Sequence, residues 1–136
     1  MTAGPPAHLT EVTPGAAMLG REWVKCDSAS GRATLTFRAR PEFANRHGTV
    51  QGGFLAAMLD SATGITLLAT LPPELTAVTI SLDTRFESPA SVGVLTAEAR
   101  VVEKDDRNAM VEAEIIGPDN RVVARGKARL RIRRRA

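Results

Sequence analysis

Residues 45–53 read NRHGTVQGG and lead directly into an almost wholly apolar segment that extends to Leu71. Small residues recur along this segment, at Gly52, Ala56, Ala57, Ala62 and Gly64. The pattern predicts one closely packed helix over Gln51 to Leu71. A helix that is apolar on every side is either buried in a core or spans a membrane. Because amphipathic strands that need a core flank this segment, we predict a buried helix.

Two strands are predicted before the helix. From Gly31 to Arg40 apolar and polar residues alternate strictly, which is typical of an antiparallel strand with one solvated face. Leu19 to Asp27 is its predicted partner, with a turn at Ser28–Ser30. Pro41 ends the second strand because proline has no N–H to donate to a neighbouring strand.

The alternation returns after Leu71 and predicts four further strands, separated by turn-forming clusters at Ser88-Pro89, Asp105-Asp106 and Gly117 to Asn120. The order strand-strand-helix followed by four strands predicts an α+β domain with an antiparallel sheet wrapped around one long central helix. The sets predicted to share an apolar face are Val78, Ile80, Leu82 and Phe86; Leu95, Ala97, Ala99 and Val101; Ala109, Val111, Ala113 and Ile115; and Val122, Ala124, Gly126, Ala128, Leu130 and Ile132.

The length and composition fit one ordinary globular domain, since the chain has 136 residues, 43% of them hydrophobic and 24% charged. Residues 1–12 lack the pattern of a secretory signal and are predicted to form a flexible tail, which leaves 13–136 as the domain. The single cysteine, Cys26, cannot form an internal disulfide. We therefore predict that it fills core space in a cytoplasmic protein.

The basic residues concentrate between Arg121 and Arg135, within a chain of net charge +3. Such a cluster can attract nucleic acid, an anionic membrane or a polyphosphate ligand. Aromatic residues make up only 4% of the chain and form no stacking platform, so we predict no nucleic-acid partner, and no membrane partner either. These cations fall on the polar face of the last predicted strand, where both a solvated surface and a ligand-binding role stay open.

Asp60 is the only side chain between His47 and Glu74 that ionises at neutral pH. Aspartate is unfavourable within a helix and is almost never fully buried without partners. Desolvating an ionised carboxylate costs several kcal/mol, which is tolerated mainly where the group has a function. From the residues alone two interpretations stay open. Asp60 is either a working carboxylate, or a structural one that is exposed or satisfied by hydroxyls such as those of Ser61 and Thr63.

The glycines at the start of the helix favour a catalytic interpretation. The first amides of a helix have no intrahelical partner, and the helix dipole there favours negative charge. Such amides could hold the oxyanion of a tetrahedral acyl intermediate. Asp60 follows Gly52 by about two turns, roughly 12 Å along the helix axis, and its side chain leans back toward the helix start.

The stretch Asn45 to Gly53, with Asp60 seven residues further on, resembles the signature of the hotdog-fold acyl-CoA thioesterases. It is most similar to the PaaI type, which includes phenylacetyl-CoA and 4-hydroxybenzoyl-CoA thioesterases. The likeness extends to the lead-in Pro14 to Gly20 and to Phe86 to Ala90 before Gly93. The resemblance implies the hotdog fold in the strand order predicted above, and hydrolysis of an acyl-CoA. No His, Cys and Asp residues have the spacing of metal ligands, so we predict no metal, and no cofactor because CoA is part of the substrate.

The resemblance also implies roles for individual residues. Asp60 matches the catalytic carboxylate, which acts as general base on water or as nucleophile on the thioester carbon. Gly52 matches the donor of the oxyanion-hole amide, and Asn45 an amide side chain near the thioester carbonyl. Thr79 matches a hydroxyl that orients water in the site of a neighbouring subunit, which implies a homodimer or homotetramer with shared sites, paired through the strand that carries Thr79.

One position departs from the family pattern. Many members read His-Gly-Gly where this chain has Gln51-Gly52-Gly53, and a glutamine can donate to a carbonyl but cannot carry a proton. His47 does not fill that position and is predicted to be a loop residue. The CoA-binding residues that the resemblance implies are Gly53, Ser88, Pro89, Ala90, Lys104 and Arg107, the last two of which could instead be solvated turn charges.

Two other functions compete with acyl-CoA hydrolysis. The first is a non-catalytic domain that binds or senses acyl-CoA on the same scaffold. The second is a dehydratase acting on hydroxyacyl thioesters, which would need a histidine paired with a carboxylate. Neither His8 nor His47 has such a setting in the sequence.

Overall fold

Six antiparallel strands form one sheet that wraps around a single long helix, which confirms the predicted hotdog architecture. The structure is a computed structural model that describes residues 4–136. Its helices are α1 (Pro14–Met18) and α2 (Gly52–Leu68), and its strands are β1 (Glu22–Asp27), β2 (Arg32–Ala39), β3 (Leu75–Phe86), β4 (Gly93–Lys104), β5 (Asn108–Ile116) and β6 (Val122–Arg134). Short 3-10 helices lie at Ala7–Leu9 and Pro41–Phe43.

The strand order in the sheet is β1-β2-β4-β5-β6-β3. The chain therefore crosses the concave side of the sheet once, through α2, and β3 returns to pair with the last strand, β6. As a result, β1 and β3 are the two edges of the sheet. Strand β3, at one of these edges, is the first strand after α2 in the chain.

The core lies between the concave face of the sheet and α2. Leu59 of the helix is fully buried, and at Gly126 on β6 an added Cβ would lie 3.2 Å from the Leu59 Cβ. This contact explains why β6 carries a glycine opposite the helix. Cys26 is 1% exposed and fills core space, as predicted. Burying a large apolar side chain contributes about 1.5–3 kcal/mol, and the largest ones buried here include Leu35, Phe37, Met58, Leu67, Leu95, Val111, Ile115 and Leu130.

The helix differs from its prediction in its end and in its burial. It ends at Leu68, and residues 69–71 form a turn before two prolines. It is also not covered on every side, because Gly53 and Asp60 are exposed and Gly64 is only half-buried. These residues form one stripe along the helix, which we call the open stripe. A Cβ added at Gly53 or Gly64 would meet no atom within 4 Å, so the space in front of the stripe is unfilled.

The predicted apolar face of β3 is wrong for Val78 and Ile80, because a β-bulge between Thr79 and Ser81 reverses which alternate side chains face the helix. Before the bulge Val78 lies opposite the exposed Arg131, on the outer face of the sheet. After it, Leu82 and Phe86 lie opposite the buried Ala128 and Ala124, on the inner face. Ile80, within the bulge, is 56% exposed. The bulge thus leaves two large apolar side chains uncovered along the β3 edge.

The other predicted faces fit more closely. Leu95, Ala97 and Ala99 of β4 are buried, as are all four predicted residues of β5. Val101 is only half-buried, because a second bulge begins there. In β6 a third bulge places Val123, rather than the predicted Val122, in the core.

The segment predicted as a flexible tail makes two contacts with the domain. Leu9 is 6% exposed, and its carbonyl oxygen accepts a hydrogen bond from the Trp23 indole at 3.3 Å. The following helix, α1, is not predicted by the sequence pattern. Its start is explained by Pro14, whose fixed φ suits the first position of a helix. The boundary at residue 12 stays a prediction.

The basic residues of β6 lie on the outer, solvated face of the sheet. Arg125 forms ion pairs with Glu87 and Glu114, and Lys127 contacts Glu112 at 3.5 Å. Exposed pairs of this kind contribute at most about 1 kcal/mol each. No helix within residues 4–136 has both the length and the hydropathy needed to cross a membrane.

Candidate active site

The loop that leads into α2 is organised by Asn45. Its side-chain oxygen accepts hydrogen bonds from the backbone N–H of His47 at 2.9 Å and of Thr49 at 3.2 Å, and from the Thr49 hydroxyl at 3.3 Å. With the oxygen so occupied, the side-chain NH2 group of Asn45 points away from these donors and has no acceptor within the described part of the chain. That group can therefore donate to a ligand. His47 itself is exposed, as expected of a loop residue.

The first turn of α2 presents two free amides. The backbone carbonyl of Gln51 accepts from Phe54 N at 3.0 Å and from Leu55 N at 3.4 Å. The N–H groups of Gly52 and Gly53 find no acceptor among residues 4–136. The Gln51 side chain makes no capping hydrogen bond and is exposed. The helix start therefore offers unpaired donors at the positive end of its dipole.

The Phe86 ring lies against the start of α2. A Cβ at Gly52 would lie 3.2 Å from a carbon of the Phe86 ring, so a side chain at this position would displace the ring. Gly53 faces open space instead. Phe86 is 55% exposed, and its ring rests on the helix start. It therefore forms one wall beside the free amides. The sequence predicts that Phe86 shares the apolar face of its strand with Leu82, but it does not predict that the ring lies against Gly52.

Asp60 lies on the open stripe, seven residues after Gly53 and therefore nearly in line with it along the helix. The Thr79 hydroxyl donates to Asp60 Oδ1 at 2.8 Å. Oδ2 of the same carboxylate has no partner in residues 4–136, which leaves it open to water. A carboxylate held by one oxygen, with the other free, is suited to accept a proton from a water molecule.

Two expectations about this pair can be compared with the single chain. Of the interpretations that the sequence leaves open for Asp60, the carboxylate is exposed and is held by a hydroxyl, that of Thr79 rather than those of Ser61 or Thr63, because the sheet does not cover the open stripe. The role of Thr79 in the site of a neighbouring subunit stays a prediction, and within one chain its hydroxyl contacts Asp60. The bulge at Thr79 explains this contact, since Thr79 lies opposite the buried Leu130 and is directed toward the helix.

The residues predicted to bind CoA fall into two groups. Ser88, Pro89 and Ala90 lie beside the helix start: Ala90 O accepts from Val50 N at 2.8 Å, and the Ser88 hydroxyl donates to Val122 O at 2.9 Å. The Ala90 carbonyl and the Ser88 hydroxyl are thus already hydrogen-bonded within the fold. Gly53 belongs to the same region, because it is the second residue of α2.

Lys104 and Arg107 lie at the other end of the molecule. Lys104 Nζ contacts the Thr70 hydroxyl at 3.3 Å, beyond the end of α2, and Arg107 belongs to the turn between β4 and β5. β4, whose length separates this turn from Ala90, spans roughly 35 Å. One chain therefore does not bring the two groups together. In the same turn, hydrogen bonds from the backbone N–H groups of Arg107 and Asn108 lower the pKa of the Asp105 carboxyl.

The structure adds Arg21, which the sequence does not single out. Its guanidinium Nη1 donates to Ser61 Oγ at 3.0 Å, next to Asp60, and burial lowers the pKa of Arg21. Forty positions separate the two residues, so no local pattern indicates the contact. Among the residues that the structure describes, no three His, Cys, Asp or Glu side chains are grouped so that they could hold a metal ion.

Comparisons with known proteins agree with this fold. Residues 47–124 match the sequence profile of the thioesterase superfamily. A protein of Saccharolobus solfataricus, provisionally named an esterase, is 30% identical over 95 residues, which cover 70% of this chain and 67% of that protein. A crystal structure from Ralstonia eutropha JMP134, described provisionally as a thioesterase related to phenylacetic acid degradation, is 30% identical with a TM-score of 0.85 and covers 91% of this chain and 94% of that one. The PaaI protein of the E. coli phenylacetic acid degradation operon, at 24% identity, TM-score 0.78 and 89% and 83% coverage, shares the fold.

Proposed function

This chain belongs to the thioesterase superfamily, and on that premise we propose that it hydrolyses an acyl-CoA thioester to a free carboxylic acid and CoA. The observation that carries the proposal is the position of the Asp60 carboxylate. It lies on the open stripe in line with the free amides of the first turn of α2, and Thr79 holds one of its oxygens at 2.8 Å. A base and an oxyanion donor on one exposed surface are the two groups that thioester hydrolysis requires.

In the proposed reaction Asp60 Oδ2 takes a proton from water as the water oxygen attacks the thioester carbon. The carbonyl π electrons move to the oxygen, and the negative charge is held by the N–H groups of Gly52 and Gly53. Collapse of this intermediate breaks the carbon–sulfur bond and releases CoA as a thiolate, which is then protonated. Because a thiolate leaves readily, the step needs no strong acid.

Asn45 and Gln51 are proposed to assist at the carbonyl side. The free NH2 group of Asn45 and the exposed side chain of Gln51 can each donate to the thioester oxygen. Since neither can carry a proton, Asp60 is left as the general base in this region. Gly53, Ser88, Pro89 and Ala90 lie beside the helix start and are proposed to contact the pantetheine end of CoA.

A second mechanism makes Asp60 the nucleophile. Oδ2 would then attack the thioester carbon and expel the thiolate, and water would hydrolyse the resulting anhydride. Single-turnover hydrolysis in ¹⁸O-labelled water distinguishes the two. The general-base route places the label only in the released acid. Attack of water on the Asp60 carbonyl carbon of the anhydride places it in the Asp60 carboxylate, so label in that peptide, detected by mass spectrometry, identifies the nucleophilic route.

We further propose a homodimer or homotetramer with shared active sites. β3 is an edge strand with a free backbone edge, and Val78 and Ile80 are exposed along it, at 43% and 56%. Pairing two copies through β3 would cover these side chains. It would also let Lys104 and Arg107 of one copy approach a CoA bound to another, which one chain alone does not allow. A sedimentation experiment at micromolar concentration that showed only a 14.5 kDa species would refute shared sites.

The proposal places the enzyme in the cytoplasm and needs no cofactor, because CoA is part of the substrate. The competing function is an acyl-CoA sensor without catalysis, which would use the same free amides for binding. A screen of aliphatic and aromatic acyl-CoAs, with released thiol measured by a colorimetric reagent, separates the two. Stoichiometric binding of an acyl-CoA without thiol release would favour the sensor.

A further inference from the structure

Arg21 is a half-buried cation without a counter-ion. Its Nη1 donates to Ser61 Oγ at 3.0 Å, and no carboxylate in residues 4–136 lies within ion-pair distance of it. A guanidinium carries five N–H donors, so most of those on Arg21 are unused by the protein. Burial also lowers the pKa of Arg21, because the charged guanidinium loses hydration.

The position of Arg21 connects it with the candidate active site. Ser61 follows Asp60 directly, so covalent dimensions place the guanidinium at most about 13 Å from the Asp60 carboxylate. Ala57, Asp60, Ser61 and Gly64 occupy neighbouring positions on one side of α2. None of the four is buried, and a Cβ at Gly64 would meet no atom within 4 Å. A ligand held at Asp60 therefore has room to extend toward Arg21.

We propose, on the basis of the hydrolysis proposed above, that Arg21 binds a carboxylate at the far end of the acyl group. The preferred substrates are then CoA thioesters of short dicarboxylic acids. A guanidinium matches a carboxylate with two parallel hydrogen bonds, and such a charge-assisted pair is strongest where water is excluded. The bond to Ser61 fixes one nitrogen and thereby orients the guanidinium plane before the substrate arrives.

The test compares two acyl groups of equal chain length, glutaryl-CoA and valeryl-CoA, by kcat/KM. Replacing Arg21 by Met keeps the apolar part of the side chain and removes the charge. We expect the glutaryl to valeryl ratio to fall about 10- to 100-fold in Arg21→Met, as for the loss of a charged hydrogen bond. Arg21→Lys should recover part of the ratio. Arg32→Met, an exposed cation of β2 outside the site, is the matched control and should leave the ratio unchanged.

An unchanged ratio in Arg21→Met would overturn the inference. If, in addition, the variant dissociated into monomers at a higher protein concentration than the wild type, the counter-ion of Arg21 would be a carboxylate of a second copy of the chain.

Calorimetry on the Asp60→Asn variant separates this inference from the proposed hydrolysis. In that variant we expect glutaryl-CoA to bind about 10- to 100-fold more tightly than valeryl-CoA. Adding Arg21→Met to Asp60→Asn should make the two affinities equal. This holds whether or not the wild type turns over either compound. Equal affinities with Arg21 present would overturn the role of Arg21. A retained difference, together with no hydrolysis by the wild type, would refute hydrolysis alone and leave carboxylate recognition standing.

Discussion

The two sides of α2 differ in what they contact and in which residues they carry. The side toward the sheet carries large apolar residues, such as Met58 and Leu59, which are fully buried. The open stripe carries Gly53 and Gly64, whose surroundings are empty, and between them the single carboxylate of the helix, Asp60. The adjacent residues Leu59 and Asp60 thus separate the two tasks: one side stabilises the fold, and the other is available for chemistry.

The largest effect on the buried side is expected for Leu59→Ala. The substitution removes side-chain atoms that pack against Gly126 and leaves a cavity that the helix and sheet cannot fill. We expect the free energy of unfolding to fall by about 2–5 kcal/mol. Urea denaturation followed by circular dichroism measures this loss. The kcat of the fraction that remains folded should stay close to that of the wild type, and a large fall in that kcat would contradict the separation of tasks.

A smaller effect is expected for Thr79→Val on the side of the open stripe. Valine has the shape of threonine but cannot donate to Asp60, so the carboxylate loses the bond that holds Oδ1. We expect kcat to fall about tenfold, because a carboxylate that is no longer held in one orientation is less often aligned to take a proton from water. Because Thr79 is exposed, the free energy of unfolding should change by less than about 0.5 kcal/mol.

Thr76→Val supplies the control for that experiment. Thr76 lies on the same strand but opposite Arg133, on the outer face and away from Asp60. Its replacement should leave kcat unchanged. Equal losses in the two variants would mean that the strand, and not the hydroxyl, is responsible.

The smallest effect is expected at the distant end of the sheet. Lys104 and Arg107 of one copy are proposed to contact the phosphates of a CoA bound to another. Replacing both by Ala should then raise KM about threefold with little change in kcat, because the lost contacts bind the substrate and the transition state equally. The wild-type KM should also rise with salt, because exposed charges are screened. The pair Lys25→Ala and Arg32→Ala, exposed cations on β1 and β2, removes the same charge as a control. An unchanged KM would identify Lys104 and Arg107 as solvated turn charges.

The elements of the fold are predictable from the sequence because each has a local period. Residues 31–40 alternate with period two, and β2 (Arg32–Ala39) follows them closely. The apolar segment after Gly52 becomes α2, and its glycine-rich start does present free amides. These properties depend on neighbouring residues alone, so a linear pattern contains them.

Other parts of the site depend on contacts between distant residues. The bulge at Thr79 is invisible in the alternation of β3, yet it decides that Thr79 and Phe86 face the helix while Val78 does not. The exposure of Asp60 depends on how far the sheet curls around α2, which no local pattern records. The contact between Arg21 and Ser61 joins residues 40 positions apart. The distance between Lys104 and the helix start is also not recorded by a local pattern, because it is set by the length of β4.

The most direct test of the account is Asp60→Asn, with the free energy of unfolding and the hydrolysis of acyl-CoA measured on the same preparation. Asparagine is nearly isosteric and can still accept the Thr79 hydrogen bond, so the fold should be retained, with the free energy of unfolding changed by less than about 0.5 kcal/mol at this exposed position. The amide cannot take a proton from water, so kcat should fall about 10²–10⁴-fold. An Asp60→Asn protein that hydrolyses acyl-CoA at nearly the wild-type rate would contradict the central claim that the open stripe carries the catalytic base.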